Sequence, residues 1–232
     1  MPERFEELDE RAPSPAPARD RDAAGDDDSG YDIGRLLAFS DGVFAIAITL
    51  LVLGLPVPAL ADRESDAALL HALIGLGPTL ATFALSFYLV GAFWIRHHRM
   101  FRSIVRVSRG LLWLNLLTLF LICLTPFTAG VFARYIGTYV AVVLYAGGLT
   151  LVGIAFSVVR IYVDRQGLLR VPLERRERLA NVLQAVGMPI STIVFMLVFR
   201  YNGWVAGACL AAVQVGVNLA RRRLRARPGT RR

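Results

Sequence analysis

The sequence predicts an all-α membrane protein with six transmembrane helices per subunit and both termini on the cytoplasmic side. Three observations carry that expectation. The first is composition: 55% of the 232 residues are hydrophobic and the mean hydropathy is +0.51, too apolar for a soluble domain of this size. The second is the spacing of charges. Residues 42–61, 67–95, 110–133, 135–159, 179–199 and 201–220 contain no Asp, Glu or Arg, and about 20 residues of apolar helix cross a hydrocarbon core of about 30 Å. The third is the placement of arginine, which supplies all 26 basic residues.

In chain order, residues 1–31 read as a disordered acidic tail. The first 32 residues hold 11 acids and 4 arginines, and a stretch this polar buries too little apolar surface to offset its ordering entropy. It has no apolar core, so it is not a signal peptide. A regulatory or docking role is the alternative. The six expected spans, within a domain of residues 32–220, are 35–55, 69–94, 110–128, 135–160, 179–199 and 203–220. Pro56 and Pro58 close the first, and Pro78, Pro126 and Pro189 are expected to bend the helices that carry them. Residues 221–232 form a basic tail.

Arginine sets the orientation. Arg96, Arg99, Arg102, Arg106 and Arg109 fall in the connection 95–109, and Arg165, Arg170, Arg175, Arg176 and Arg178 in 161–178; seven more lie between Arg221 and Arg232. The alternating connections hold Arg63, Arg134 and Arg200, one each. Positive residues stay in the cytoplasm, which puts both tails and both basic connections inside. The basic excess therefore follows topology. No basic stripe runs beside aromatics, so nucleic acid is excluded as a partner. Cys123 and Cys209 lie in apolar runs, which excludes a secreted disulfide framework. No span echoes another, which argues against an inverted-repeat transporter. A conducting path in such a chain forms where several copies meet.

The first span carries the chemistry. It reads Arg35-Leu-Leu-Ala-Phe39-Ser40-Asp41-Gly42-Val-Phe-Ala-Ile46-Ala-Ile-Thr49-Leu50-Leu-Val-Leu53. At helical spacing Arg35, Phe39, Gly42, Ile46, Thr49, Leu50 and Leu53 share one stripe. Ser40 and Asp41 point elsewhere. Asp41 lies inside an apolar span, where a carboxylate costs at least a few kcal/mol unless paired or solvated (about 2.5–3.5 kcal/mol at a helix centre). Its candidate partners are Arg35 and the cluster Trp94-Ile95-Arg96-His97-His98. It is either an ion or proton site or a helix-to-helix clamp, and its position off the seam favours the clamp.

These residues resemble the signature of the transmembrane protein 175 potassium channel family, the bacterial relatives of the animal endosomal and lysosomal potassium channel. The resemblance includes Phe93-Trp94-x-x-His97-His98-Arg-x-Phe101 and Leu111-Leu112-Trp113-Leu114-Asn115 and covers roughly residues 35–130 by motif. It implies a homotetramer of six-span subunits in the plasma membrane, with the first helix of each lining a central pore. It further implies that Ile46, Leu50 and Leu53 form aliphatic constriction rings and that Thr49 supplies a ring of hydroxyls. Arg35, Phe39, Ser40 and Asp41 would hold the helix, with Trp94, His97, His98 and Asn115 as supporting contacts. Potassium would be the permeant ion and no cofactor is implied. Hydrophobic constrictions gate by dewetting and polar rings replace part of a hydration shell. The Thr-Val-Gly-Tyr-Gly filter of ordinary potassium channels is absent, so modest selectivity is expected.

Other features carry less. His71 lies at the far end of the second expected span, about 39 Å from the histidine pair at about 1.5 Å per residue, so the three cannot share a metal. One of His97 and His98 is expected to hydrogen-bond Ser40 or Asp41. Trp94, Trp113 and Trp204 sit where interfacial anchors belong, although the family resemblance implies that Trp94 packs on Phe39–Asp41 instead. Gly203-x-x-x-Gly207 is a weak helix-contact signal. No nucleophile triad, carboxylate pair or phosphate loop supports an enzyme. The rival function is a proton-coupled transporter using Asp41, and a non-conducting structural module is a third.

Overall fold

The computed structural model describes residues 32–60 and 65–203, together with 205, 207, 208, 212, 213, 215–217 and 219. Helix α1 (Ile33–Leu50) starts at Asp32, whose Oδ1 accepts a hydrogen bond of 2.8 Å from the Gly34 amide. It tightens into a 3-10 turn over Leu51–Gly54 and stops ahead of Pro56. Then come α2 (Asp66–Gly75), α3 (Gly77–Phe101), α4 (Arg109–Cys123), α5 (Thr125–Arg134), α6 (Tyr139–Arg165) and α7 (Arg175–Phe199). Among the described residues, five segments are long and apolar enough to cross a membrane: Ile33–Gly54, α3, α4 with α5 as Arg109–Arg134, α6 and α7. The sixth expected span, 203–220, lies largely outside the described residues; those described between 203 and 219 are helical. Both expected tails lie outside them too.

Proline chemistry moves the second span. The charge-free run 67–95 is cut at Leu76, and Pro78 occupies the first turn of α3. Proline lacks an N–H and excludes the turn before it from a continuing helix, but suits a helix start. The crossing helix therefore begins at Gly77 and runs to Phe101, about two turns beyond the expected end at 94. Its added turns carry Arg96 and Arg99, and the Arg96 guanidinium lies 5.2 Å from the centre of the Phe156 ring. His71 consequently sits on the separate helix α2. Pro126 repeats this logic at the start of α5. Pro78 and Pro126 thus begin helices where bends were expected, whereas Pro189 does lie within α7.

The core gathers around α6, which packs against α4, α5 and α7, while α1 packs against α3, α4 and α5. Phe44, Val90, Phe93, Phe101, Leu111, Ile122, Val152 and Phe156 form its centre, and Phe93 stacks on Phe156 at 5.7 Å. At the N-terminus of α4, Ser108 bonds the Tyr162 hydroxyl at 3.0 Å. An ideal Cβ on Gly110 would stand 2.7 Å from Tyr162 Cζ, so glycine at 110 is what admits that tyrosine.

Towards the other end of α3, Ser86 Oγ donates to the Thr82 carbonyl at 2.7 Å and lies 2.8 Å from the Tyr145 hydroxyl. The serine has one hydrogen, already directed at Thr82, so tyrosine is the donor in the second bond. The pair therefore responds asymmetrically to mutation. Ser86→Ala leaves a buried O–H unpaired and is expected to cost about 1–3 kcal/mol, whereas Tyr145→Phe leaves only a lone pair and costs about 1 kcal/mol or less. Thermal melting of the two purified variants checks the order.

The connections α3–α4 and α6–α7 meet. The Val105 amide donates to the Leu168 carbonyl and the Arg170 amide to the Ser103 carbonyl, both at 2.9 Å, making an antiparallel bridge between Ile104 and Leu169. Both arginine-rich connections thus lie at one end of the bundle.

Candidate functional site along the first helix

Helix α1 has two opposed faces. Ser40, Phe44, Ala47 and Leu51 recur at intervals of three and four and are buried against the bundle. The stripe Arg35, Phe39, Gly42, Ile46, Thr49, Leu50 and Leu53 is exposed throughout the single subunit, with Ile46 61%, Leu50 43% and Leu53 76% exposed. About five turns of one helix thus present side chains to whatever surrounds the subunit. Between Ile46 and Leu53 that surface extends about 10 Å along the axis.

Thr49 is the polar member of the stripe. Its hydroxyl donates to the Ile46 carbonyl at 2.9 Å. The hydrogen is thereby engaged within the helix, and the oxygen lone pairs are what the residue offers outward.

The inner face is held by a polar relay. Ser40 Oγ donates to the Leu36 carbonyl at 2.8 Å, and Asn115 Nδ2 donates to Ser40 Oγ at 3.0 Å. The same amide presents Oδ1 to His97 Nε2 at 2.8 Å. The order of donors assigns the hydrogen to Nε2. His97 Nδ1 has no hydrogen-bond partner among the described residues, which a lone pair tolerates at less cost than an N–H does. The ring stacks on Phe101 at 4.1 Å and meets Phe44 and Phe156 at 5.5 and 6.1 Å. Ser40, His97 and Asn115 are all fully buried.

Asp41 is anchored separately. Trp94 Nε1 donates to its Oδ1 at 2.8 Å, so Trp94 packs on the Phe39–Asp41 segment. Arg35 is not its partner: six residues along a helix put the two on different faces. Neither histidine bonds Ser40 or Asp41 directly, contrary to expectation. Asn115 has the reach to stand between Ser40 and His97, while His98 lies beside the Trp94 ring at 5.7 Å. Trp113 is 73% exposed near the start of α4, and Trp204 lies outside the described residues. No cluster of three or more metal-ligating side chains occurs among the described residues.

Sequence reasoning missed the aromatic shell of His97. Phe101 follows it by one helical turn and Phe44 follows Ser40 by one, a local signal that was available. Phe156 comes from α6 and has no such signal.

The chain as a whole is similar to known proteins. The family model described as endosomal/lysosomal potassium channel TMEM175 matches residues 35–126. A potassium channel of Streptomyces collinus is 36% identical over 167 residues, 68% of this chain and 80% of that protein. An endosomal/lysosomal proton channel TMEM175 of Danio rerio is 39% identical over 80 residues, 32% of this chain and 15% of that protein. Among solved structures, a lysosomal potassium-selective channel TMEM175 homologue from Chamaesiphon minutus superposes with a TM-score of 0.66 at 30% identity, covering 82% of this chain and 97% of that one.

Proposed function

The chain belongs to the TMEM175 family of ion channels, and from that membership we propose that it is a potassium-preferring cation channel. In this proposal it conducts passively in the plasma membrane as a homotetramer of six-span subunits, with both tails cytoplasmic and α1 of each copy facing a central path. It needs no cofactor, and the permeant ion is its small ligand. The family is one of channels and not of enzymes. The carrying observation is the division of α1: its polar residues Ser40 and Asp41 are engaged with α3 and α4, while Ile46, Thr49, Leu50 and Leu53 are left facing outward.

Ile46, Leu50 and Leu53 then form rings that exclude water when narrow, and Thr49 forms a ring of oxygens that substitutes for part of a cation's hydration shell. Potassium gives up its water more easily than sodium, which sets the direction of the preference. Arg35, Phe39, Ser40 and Asp41, with Trp94, His97, His98 and Asn115, orient the helix. A proton-coupled transporter through Asp41 is the less favoured reading, because the carboxylate is held by Trp94 on a face away from the seam.

The test is the reversal potential of the purified protein in planar bilayers under opposed potassium and sodium gradients. A reversal displaced towards the potassium equilibrium potential, and moved by Thr49→Ala, is expected. Absence of current together with proton-driven uptake in liposomes, abolished by Asp41→Asn in folded protein, would transfer the function to Asp41.

A further inference from the structure

The paired connections at the arginine-rich end leave an electrostatic problem unsolved. Backbone hydrogen bonds hold Ser103–Val105 antiparallel to Leu168–Arg170, with Ile104 and Leu169 turned inward and buried. Arg102 and Arg170 are both exposed. The Arg170 amide is bonded to Ser103, the neighbour of Arg102, so two guanidinium-bearing residues are fixed on adjacent stretches of backbone.

Like charges on adjacent stretches of backbone attract an anion, and among the described residues the acids of these two connections are engaged elsewhere. Residues 95–109 contain no acid, and 161–178 contain three. Asp164 accepts from Arg178 Nε at 3.0 Å. Glu174 and Glu177 make the reciprocal capping box at the start of α7. The same pairing exposes two apolar side chains, Val105 at 48% and Val171 at 72%, immediately beyond the ends of membrane-spanning helices.

We propose that this clasp binds the headgroup of an anionic phospholipid, its phosphodiester between Arg102 and Arg170 and its glycerol and upper acyl region against Val105 and Val171. Guanidinium groups match phosphate oxygens through two parallel N–H donors. A soluble phosphate would satisfy the arginines but leave both valines in water; a lipid satisfies both. The proposal goes beyond the channel reading and holds whichever helix lines the path.

Native mass spectrometry of the full-length protein, offered phosphatidylglycerol and phosphatidylcholine of matched chains, tests it. Two arginines near an anionic surface at about 1 kcal/mol each correspond to roughly a thirtyfold preference. The first phosphatidylglycerol adduct is expected to show that preference and to lose it in Arg102→Gln/Arg170→Gln. The charge-matched control Arg231→Gln/Arg232→Gln should keep it, and millimolar inorganic phosphate should not displace the lipid. Equal losses in the two double variants would mean diffuse attraction and overturn the site. Displacement by phosphate would overturn the lipid and leave a soluble-anion site. Equal binding of the two lipids by the unmodified protein, which needs no variant to fold, would overturn the proposal outright.

Discussion

Asn115→Ala is expected to destabilise the protein by about 2–4 kcal/mol, enough to lose most of the folded material from a detergent extract. The side chain is fully buried and joins three helices: it donates to Ser40 on α1 and accepts from His97 on α3. Removing it leaves the His97 N–H unpaired among Phe44, Phe101 and Phe156, which costs about 1–3 kcal/mol, and adds the cost of the vacated space. Ser40→Ala leaves the Asn115 N–H unpaired in its turn. The double variant creates one orphan donor, at His97, where the two singles together create two. Its loss should therefore fall short of their sum by about 0.5–3 kcal/mol. Melting temperatures of the four proteins by scanning fluorescimetry check this, and strict additivity would mean that the relay is not a unit.

The second large effect is expected on the opposite face. Ile46→Asn and Leu53→Ser should leave the melting temperature nearly unchanged, because both residues are exposed in the subunit, at 61% and 76%. Their single-channel conductance should rise severalfold, because polar side chains wet an aliphatic constriction. Phe44→Asn makes the contrast: two residues from Ile46 but 1% exposed, it should abolish folding. Unaltered conductance in well-folded Ile46→Asn would remove α1 from the permeation path.

Much of this was legible in the sequence, and the reasons are local. The outward stripe of α1 repeats at helical spacing within nineteen residues, so periodicity alone exposes it. Arginine segregation needs only counting. The division of the second span at Leu76 was missed because charge gaps are blind to backbone chemistry, although Gly75-Leu76-Gly77-Pro78 spells a helix restart. What stays hidden is pairing across the chain. Ser86 and Tyr145 are 59 residues apart, and Asn115 and Ser40 are 75 apart. No spacing rule selects Asn115, and not a histidine, as the group that touches Ser40. The bridge between Ile104 and Leu169 joins two stretches that each read as an ordinary loop.

The Thr49 hydroxyl, donating to the Ile46 carbonyl, bears on a different kind of discrimination. A free hydroxyl serves either sign of ion, turning its hydrogen to chloride as readily as its oxygen to a cation. One whose hydrogen is already engaged by its own helix has nothing to give an anion. Four such groups around an axis would reject halides by valence before ionic radius enters, and would do so without a fixed charge that binds the passing cation too tightly to release it.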